Sequence, residues 1–152
     1  KTPSMDITEE LTLEAWVKRN SHTPGTIISR NGPFYMAINP EIPELRFPID
    51  GTIRVGVYTD TWHEFASNAI LQVGQWYHIA MTYDGSRLRI FINGVEDSSI
   101  PVTGVIPQTS QGAHIGWGEP GHDETFDGII DEIRISNISR TSFRIINKSR
   151  KN

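Results

Sequence analysis

Short segments in which apolar and polar residues alternate are the feature that most constrains the fold of this chain. In residues 10–19, Leu11, Leu13 and Val17 fall on one side of an extended backbone, whereas Trp16 falls on the other. Several segments end at an Asp-Gly or Asn-Gly pair, where glycine supplies the positive φ of a tight turn. The pattern predicts many short strands connected by turns, which is typical of an all-β sandwich or barrel.

The predicted strands share this period of two. They cover residues 10–19, 25–30, 34–38, 45–49, 52–58, 75–83, 87–93, 113–117 and 126–136. Their apolar faces predict a core made of Leu11, Leu13, Val17, Ile79, Met81, Leu88, Ile90, Ile133 and Ile135. A short C-terminal helix is predicted over residues 141–148, where Phe143 and Ile146 lie three apart and Thr141 can cap the first turn.

Length and composition exclude several classes of protein. The 152 residues are expected to form a single domain, and the absence of cysteine excludes disulfides and thiolate chemistry. There are 14 basic and 18 acidic residues, and this formal charge of −4 argues against nucleic acid as a partner. No segment approaches the roughly 20 apolar residues of a membrane span, so membrane insertion is not expected.

Three segments together carry a family resemblance. They are LTLEAWVK at residues 11–18, QWYHIAMTYDGSRLRIFINGV at 75–95, and FDGIIDEIRISNISR at 126–140. Their order and spacing resemble the laminin G-like jelly-roll domains of the concanavalin A-like lectin/glucanase superfamily. The resemblance implies two antiparallel sheets packed face to face. It also implies a first strand before residues 1–8, which this sequence starts too late to include, so we expect a domain cut from a larger protein.

An acidic stretch provides the candidate metal ligands. Residues 119–132 contain six acids and no Lys or Arg. Alternation along residues 126–136 predicts that Asp131 interrupts an apolar face, and a buried carboxylate needs a partner. That partner is either the protein's own hydrogen-bond donors or calcium, which prefers oxygen ligands and which this fold commonly binds near its last long strand. The predicted calcium ligands are Asp131, Asp127, Asp123 and Glu124.

Catalysis is not expected. Glycoside hydrolases of the resembled superfamily carry carboxylates that alternate along one strand, so that acid and nucleophile face the sugar together. No Glu-x-Asp-x-x-Glu or Glu-x-Asp-x-Glu motif occurs in this sequence. The nearest acidic cluster, Asp123-Glu124 with Asp127, lies in a predicted loop rather than a strand.

Two tryptophans are candidates for a sugar-stacking platform. Trp62 is bracketed by polar residues, and Trp117 lies between two glycines that let a ligand approach the backbone. Either ring could instead anchor a loop, and Trp16 is expected to be covered by the fold. The predicted ligand-binding residues are Trp62, His63, Trp117, Glu119 and His122.

These observations favour a non-catalytic, lectin-like module that is secreted or at the cell surface. Its expected partner is a carbohydrate or a cell-surface glycoconjugate. The first alternative is a protein-interaction or structural adhesion module with an extracellular protein as partner. The second alternative is a glycan-active enzyme.

Overall fold

The computed structural model describes residues 7–38, 50–117 and 124–146. This part of the chain contains ten strands. They are β1 (Leu11–Arg19), β2 (Gly25–Arg30), β3 (Phe34–Ile38), β4 (Thr52–Tyr58), β5 (Trp62–Ile70), β6 (Trp76–Tyr83), β7 (Arg87–Ile92), β8 (Val95–Pro101), β9 (Ala113–Ile115) and β10 (Gly128–Ser136).

The strands form two antiparallel sheets of five. Sheet I has the order β10-β1-β6-β7-β8, and sheet II has the order β5-β4-β3-β2-β9. Neighbouring strands in both sheets run antiparallel. The predicted two-sheet jelly-roll sandwich is confirmed. No helix in the described ranges is long and apolar enough to cross a membrane.

The core lies between the two sheets. Of the predicted core residues, those on β1, β6 and β7 are buried, and Ile133 and Ile135 are half-buried against them. Sheet II contributes the opposite wall with alternate residues of β3 and β4: Phe34, Met36, Ile38, Ile53, Val55 and Val57. The period of two therefore identified the strands that have one apolar face.

Two strands were not predicted, β5 and β8. Both are edge strands, and neither presents a continuous apolar face to the core, so each lacks the alternation that marks the others. Asp97 joins them across the sandwich, because its carboxylate accepts hydrogen bonds from the backbone N–H groups of Asn68 and Ala69 at 2.7 and 2.9 Å. The strand predicted over residues 45–49 lies outside the described residues.

The prediction that Asp131 shares a face with Ile133 is wrong, because β10 contains a β-bulge. Between the pairs Glu14↔Arg134 and Trp16↔Asp131, β10 has one residue more than β1, and Glu132 has a φ of 51°. An extra residue reverses the side on which the preceding residues project. Asp131 is consequently exposed on the outer side of sheet I, where its Oδ1 accepts the Glu132 N–H at 2.8 Å.

The predicted C-terminal helix is also wrong for the part that the structure describes. Residues 141–146 are not helical, and their burial alternates, with Phe143 and Ile145 half-buried. The Phe143 ring lies 5.5 Å from the ring of His78 and 5.0 Å from that of Phe91, on the outer side of sheet I. A helix this short is marginal in water, and packing on the sheet determines the conformation instead.

The same outer side of sheet I holds Trp16, which is buried as expected. Its ring meets that of His78 edge-on at 5.5 Å. Burial lowers the pKa of His78, although the neighbouring Glu14 carboxylate acts in the opposite direction. The C-terminal segment is fastened over this side by Thr12, whose hydroxyl donates to the Ile138 carbonyl and accepts from the Arg140 N–H. The part of this side around Trp16, His78 and Phe91 is therefore covered.

Candidate functional site

The outer side of sheet II carries the candidate site. The cross-strand registers of its five strands place one residue from each strand in a single row. From β9 to β5, the row is His114, Ser29, Tyr35, Gly56 and Glu64. Residues that oppose one another across antiparallel strands project on the same side, and the flanking residues of β3 and β4 point into the core. The row therefore faces away from the core.

Three aromatic rings cluster at one end of this row. Trp62 begins β5 and opposes Tyr58 at the end of β4, across the turn formed by residues 59–61. The Trp62 ring centroid lies 5.7 Å from that of Tyr58 and 5.7 Å from that of Tyr35. Trp62 remains 41% exposed, so these contacts hold an indole ring that solvent can still reach.

Gly56 determines where the Tyr35 ring can lie. A Cβ at residue 56 would be 2.4 Å from Cε1 of Tyr35, which is far inside van der Waals contact. The ring therefore lies across the β4 backbone in the space that a side chain would occupy. This glycine is required for a close approach and not for its backbone angles, because its φ is not positive.

A hydrogen-bonded polar cluster adjoins the rings. The Tyr35 hydroxyl donates to Oε1 of Glu64 at 2.5 Å and accepts from Nε of Arg54 at 3.1 Å. Nη2 of Arg54 lies 3.5 Å from Oε2 of Glu64, and the Glu64 side chain is 30% exposed. Burial and the bond to Glu64 raise the pKa of Tyr35 well above its usual value, so the phenol stays protonated at neutral pH. A carboxylate is thereby fixed beside the indole.

A groove of about 430 Å³ runs past Trp62. This volume is in the range of small-molecule sites. Its described lining consists of Asn31, Gly32, Pro33, Tyr58, Trp62, Pro107, Gln108 and Thr109. The wall formed by residues 107–109 is held by buried Arg30, which donates from Nη2 to the Thr109 carbonyl at 2.9 Å and from Nε to the Gln111 carbonyl at 3.0 Å. The groove is therefore preformed.

The structure separates the predicted ligand residues. Trp62 lies in the groove, but the adjacent His63 opposes Val57 on the other side of the sheet, where its Nε2 meets the Thr59 hydroxyl at 3.1 Å. Trp117 follows β9 at the opposite edge, is 38% exposed, and has its ring 5.1 Å from that of His114. Glu119 and His122 lie outside the described residues.

The predicted calcium ligands do not form a site within the described residues. Asp131 and Asp127 are exposed and Glu124 is half-buried, while Asp123 lies outside the described ranges. Across residues 7–38, 50–117 and 124–146, no three His, Asp or Glu side chains are grouped so that they could hold a metal ion. Calcium binding stays a prediction.

Sequence reasoning missed Tyr35, Arg54 and Tyr58. A signal for them does exist, because polar and aromatic residues at 54 and 58 alternate along β4 with the core residues Val55 and Val57. Their convergence on Trp62 could not be predicted, since it depends on the register of three strands.

Gly56→Ala should displace the Tyr35 ring and so test the aromatic cluster. We expect overpacking to cost about 1–3 kcal/mol of unfolding free energy. Gly112→Ala is the matched control, because a Cβ there meets nothing within 4 Å. Thermal denaturation and the Tyr35 side-chain NMR resonances measure the two effects. An unshifted Tyr35 resonance in Gly56→Ala would contradict this account of the cluster.

The comparisons with known proteins agree with this architecture. A family model described as the concanavalin A-like lectin/glucanases superfamily matches residues 1–145. The chain belongs to the concanavalin A-like superfamily. A comparison with curated protein sequences gave no match.

Several solved structures share this concanavalin A-like fold. One is a protein from Bacteroides ovatus with a proposed carbohydrate-binding role, at 22% identity and a TM-score of 0.76. The match covers 93% of this chain and 41% of the Bacteroides ovatus protein. Another is domain 4 of AbnA, a GH43 extracellular arabinanase from Geobacillus stearothermophilus, in complex with arabinotriose. It has 23% identity and a TM-score of 0.62, and the match covers 86% of this chain and 62% of the arabinanase domain's chain.

Domains LG4-5 of the mouse laminin alpha1 chain are also similar, with 12% identity and a TM-score of 0.70. The match covers 90% of this chain and 38% of the laminin chain. The present chain thus spans about two fifths of the Bacteroides ovatus protein and of the laminin fragment. At these identities the similarity shows the fold alone.

Proposed function

We propose that this domain is a non-catalytic module that binds a neutral carbohydrate on the outer side of sheet II. The observation that carries the proposal is the exposed Trp62 ring, which is braced by Tyr58 and Tyr35 at the mouth of a preformed groove. An aromatic ring buries the apolar face of a sugar, and rigid rings lose little entropy when they do so.

Polar groups beside the rings would orient a sugar that stacks on them. Glu64 can accept a hydrogen bond from a sugar hydroxyl, because its carboxylate is held by Tyr35 and Arg54 and is still partly exposed. Anionic sugars are disfavoured at this place. Glu64 and exposed Asp60 are both negative, and the Arg54 side chain is 9% exposed, with its guanidinium directed to Glu64.

The non-catalytic part of the proposal rests on the groove lining. Glycoside hydrolysis requires two carboxyl groups that flank the scissile bond. The residues that line the groove in the described ranges include no Asp or Glu, and the two carboxylates beside it are engaged by the protein, Glu64 by Tyr35 and Arg54 and Asp60 by Thr59 and His63. Binding without turnover is the activity that such a lining supports.

We also propose that the module is secreted or displayed at the cell surface as part of a larger protein. Support comes from the similarity to one domain of an extracellular arabinanase and from the share of its relatives that the chain covers. A glycoconjugate or polysaccharide outside the cell would then be the partner.

Affinity electrophoresis in gels that contain neutral or uronate-rich polysaccharides tests the proposal. We expect retardation by at least one neutral polysaccharide, also in the presence of a chelator, and none by the uronate-rich gels. Trp62→Ala should weaken binding more than about tenfold, and Trp62→Phe should weaken it less, because phenylalanine keeps a smaller ring. Melting curves confirm that both variants fold. Equal retardation of all three proteins would refute the proposal, as would an absence of retardation in every neutral gel.

A further inference from the structure

The turn between β2 and β3 places a chemically reactive pair of residues in the groove. Asn31 and Gly32 are adjacent in the sequence, and both line the groove beside Trp62. Gly32 has a φ of 104°, and a Cβ there would meet nothing within 4 Å. Within the described ranges, no hydrogen bond holds the Asn31 carboxamide. This carboxamide is therefore able to rotate towards the backbone of the next residue.

An Asn-Gly pair can modify itself without an enzyme. The backbone nitrogen of Gly32 attacks Cγ of Asn31, and the new N–Cγ bond closes a five-membered succinimide ring. The Cγ–Nδ2 bond breaks, and ammonia leaves with the proton of the attacking nitrogen. Water then opens the ring at either of its two carbonyl carbons, which produces aspartate or isoaspartate. Glycine favours the attack because it has no Cβ to obstruct the approach of the carboxamide.

The second Asn-Gly pair of the chain, Asn93-Gly94, has a fixed carboxamide. Its Oδ1 accepts the backbone N–H of His78 at 2.9 Å, and the backbone N–H of Asn93 donates to the His78 carbonyl at 2.7 Å. A Cβ at Gly94 would lie 3.0 Å from Cγ1 of Ile145, so the C-terminal segment also crowds this turn. Asn93 is nevertheless the more exposed of the two asparagines. Solvent exposure and hydrogen bonding therefore rank the reactivity of the two pairs in opposite orders.

We infer that Asn31 is a site of spontaneous deamidation, and that its conversion weakens ligand binding in the groove. The effect on binding rests on the proposed function. Conversion replaces the two N–H donors of the carboxamide with a carboxylate, in a groove whose described lining contains no Asp or Glu. Isoaspartate also adds a methylene group to the backbone of the turn. The Pro33 carbonyl in this turn accepts the Tyr58 N–H at 2.9 Å, and Tyr58 braces Trp62, so a longer turn disturbs the stacking ring.

Peptide mapping by mass spectrometry, after incubation of the domain in mildly alkaline buffer, tests the modification itself. In the folded domain, Asn31 should convert about five- to tenfold faster than Asn93, because the hydrogen bond to His78 must break before the Asn93 carboxamide can react. In concentrated urea the two asparagines should convert at similar rates, since neither is then restrained by the fold. Equal rates in the folded domain, or faster conversion of Asn93, would overturn the inference.

Affinity electrophoresis in a neutral polysaccharide gel measures the effect on binding. Wild-type protein should lose retardation in proportion to the Asn31 amide that it has lost. Asn31→Gln should keep its own initial retardation during the same incubation, because glutamine would have to close a six-membered ring and reacts far more slowly. Asn93→Asp, which retains an acceptor for the His78 N–H, is the control and should lose retardation as the wild type does.

The outcomes separate the modification from the function on which its effect depends. Undiminished retardation of wild-type protein that is fully converted at Asn31 would refute the effect on the groove, and so would an equal decline in Asn31→Gln. Failure of every neutral polysaccharide to retard fresh protein would overturn the proposed function and the effect on binding together. The conversion rates of Asn31 and Asn93 decide the deamidation site independently of any ligand.

Discussion

Replacing Ile90 with alanine should lower the free energy of unfolding by about 2–5 kcal/mol, because the change removes buried methylene groups and leaves a cavity. Ile90 has no exposed surface, opposes Met81 on β6, and belongs to the cluster between the two sheets. Both sheets contribute residues to this cluster, and its close packing limits how far the structure can relax into the cavity. Urea denaturation followed by tryptophan fluorescence measures the loss.

Val95→Ala provides the matched control for Ile90→Ala. Val95 begins the neighbouring strand β8 and is 69% exposed, so its truncation should change stability by less than about 0.5 kcal/mol. A loss of under about 0.5 kcal/mol in Ile90→Ala would mean that β7 presents its other face to the core. The two-sheet arrangement would then be incorrect at its centre.

Arg30→Met should have the second large effect, because it acts on both stability and binding. The side chain of Arg30 is buried and supplies charged donors to the carbonyls of Thr109 and Gln111. Removing these hydrogen bonds should cost about 1.5–3 kcal/mol of unfolding free energy. Methionine fills most of the volume but cannot hold residues 107–109, so glycan affinity should also fall by about five- to tenfold through loss of preorganisation.

Arg87→Met is the control that separates the specific effects of Arg30→Met on stability and glycan affinity from the effect of losing any arginine. Arg87 is half-buried and donates from Nη1 to the Ser99 hydroxyl at 2.9 Å, and neither residue lines the groove. We expect a stability loss below about 1 kcal/mol and unchanged glycan affinity. If Arg30→Met were destabilised but bound glycans with wild-type affinity, residues 107–109 would not form a wall of the binding site.

The fold could be predicted where one face of a strand is apolar and the other polar. Strands β2, β3 and β4 begin and end at the predicted residues, and β1, β6 and β7 differ by one residue at one end. The sequence of β5, WHEFASNAI, lacks such a face, because an edge strand covers little of the core. Its existence became evident only from its pairing with β4.

The predictions for the face of Asp131 and for the C-terminal helix failed for the same reason, because a local sequence pattern carries no information on tertiary contacts. The bulge at Glu132 breaks the period of two inside an otherwise regular strand, and it turns Asp131 outward. At the C-terminus, a spacing of three between Phe143 and Ile146 suggested a helix. Contacts of the Phe143 ring with sheet I favour an extended segment there.

The candidate site was predictable only in part. Trp62 stood out because a tryptophan among polar residues is expected at a surface or in a site. Tyr35 and Arg54 reach it through strand register, and groove residues 107–109 arrive from a distant part of the sequence. Such convergence depends on the assembled sheet and is not encoded in any one segment.

The indole N–H signals of the four tryptophans in a ¹H–¹⁵N NMR spectrum show directly whether a carbohydrate binds at Trp62. Trp16 is buried on sheet I, and Trp76 opposes Lys18 on the same sheet, so both serve as internal controls. Single Trp→Phe variants assign the signals. On titration with a neutral oligosaccharide that binds, the Trp62 signal should shift in a saturable manner, while those of Trp16 and Trp76 stay in place. Saturable shifts confined to Trp16 or Trp76, with the Trp62 signal unmoved, would contradict a binding site on the outer side of sheet II.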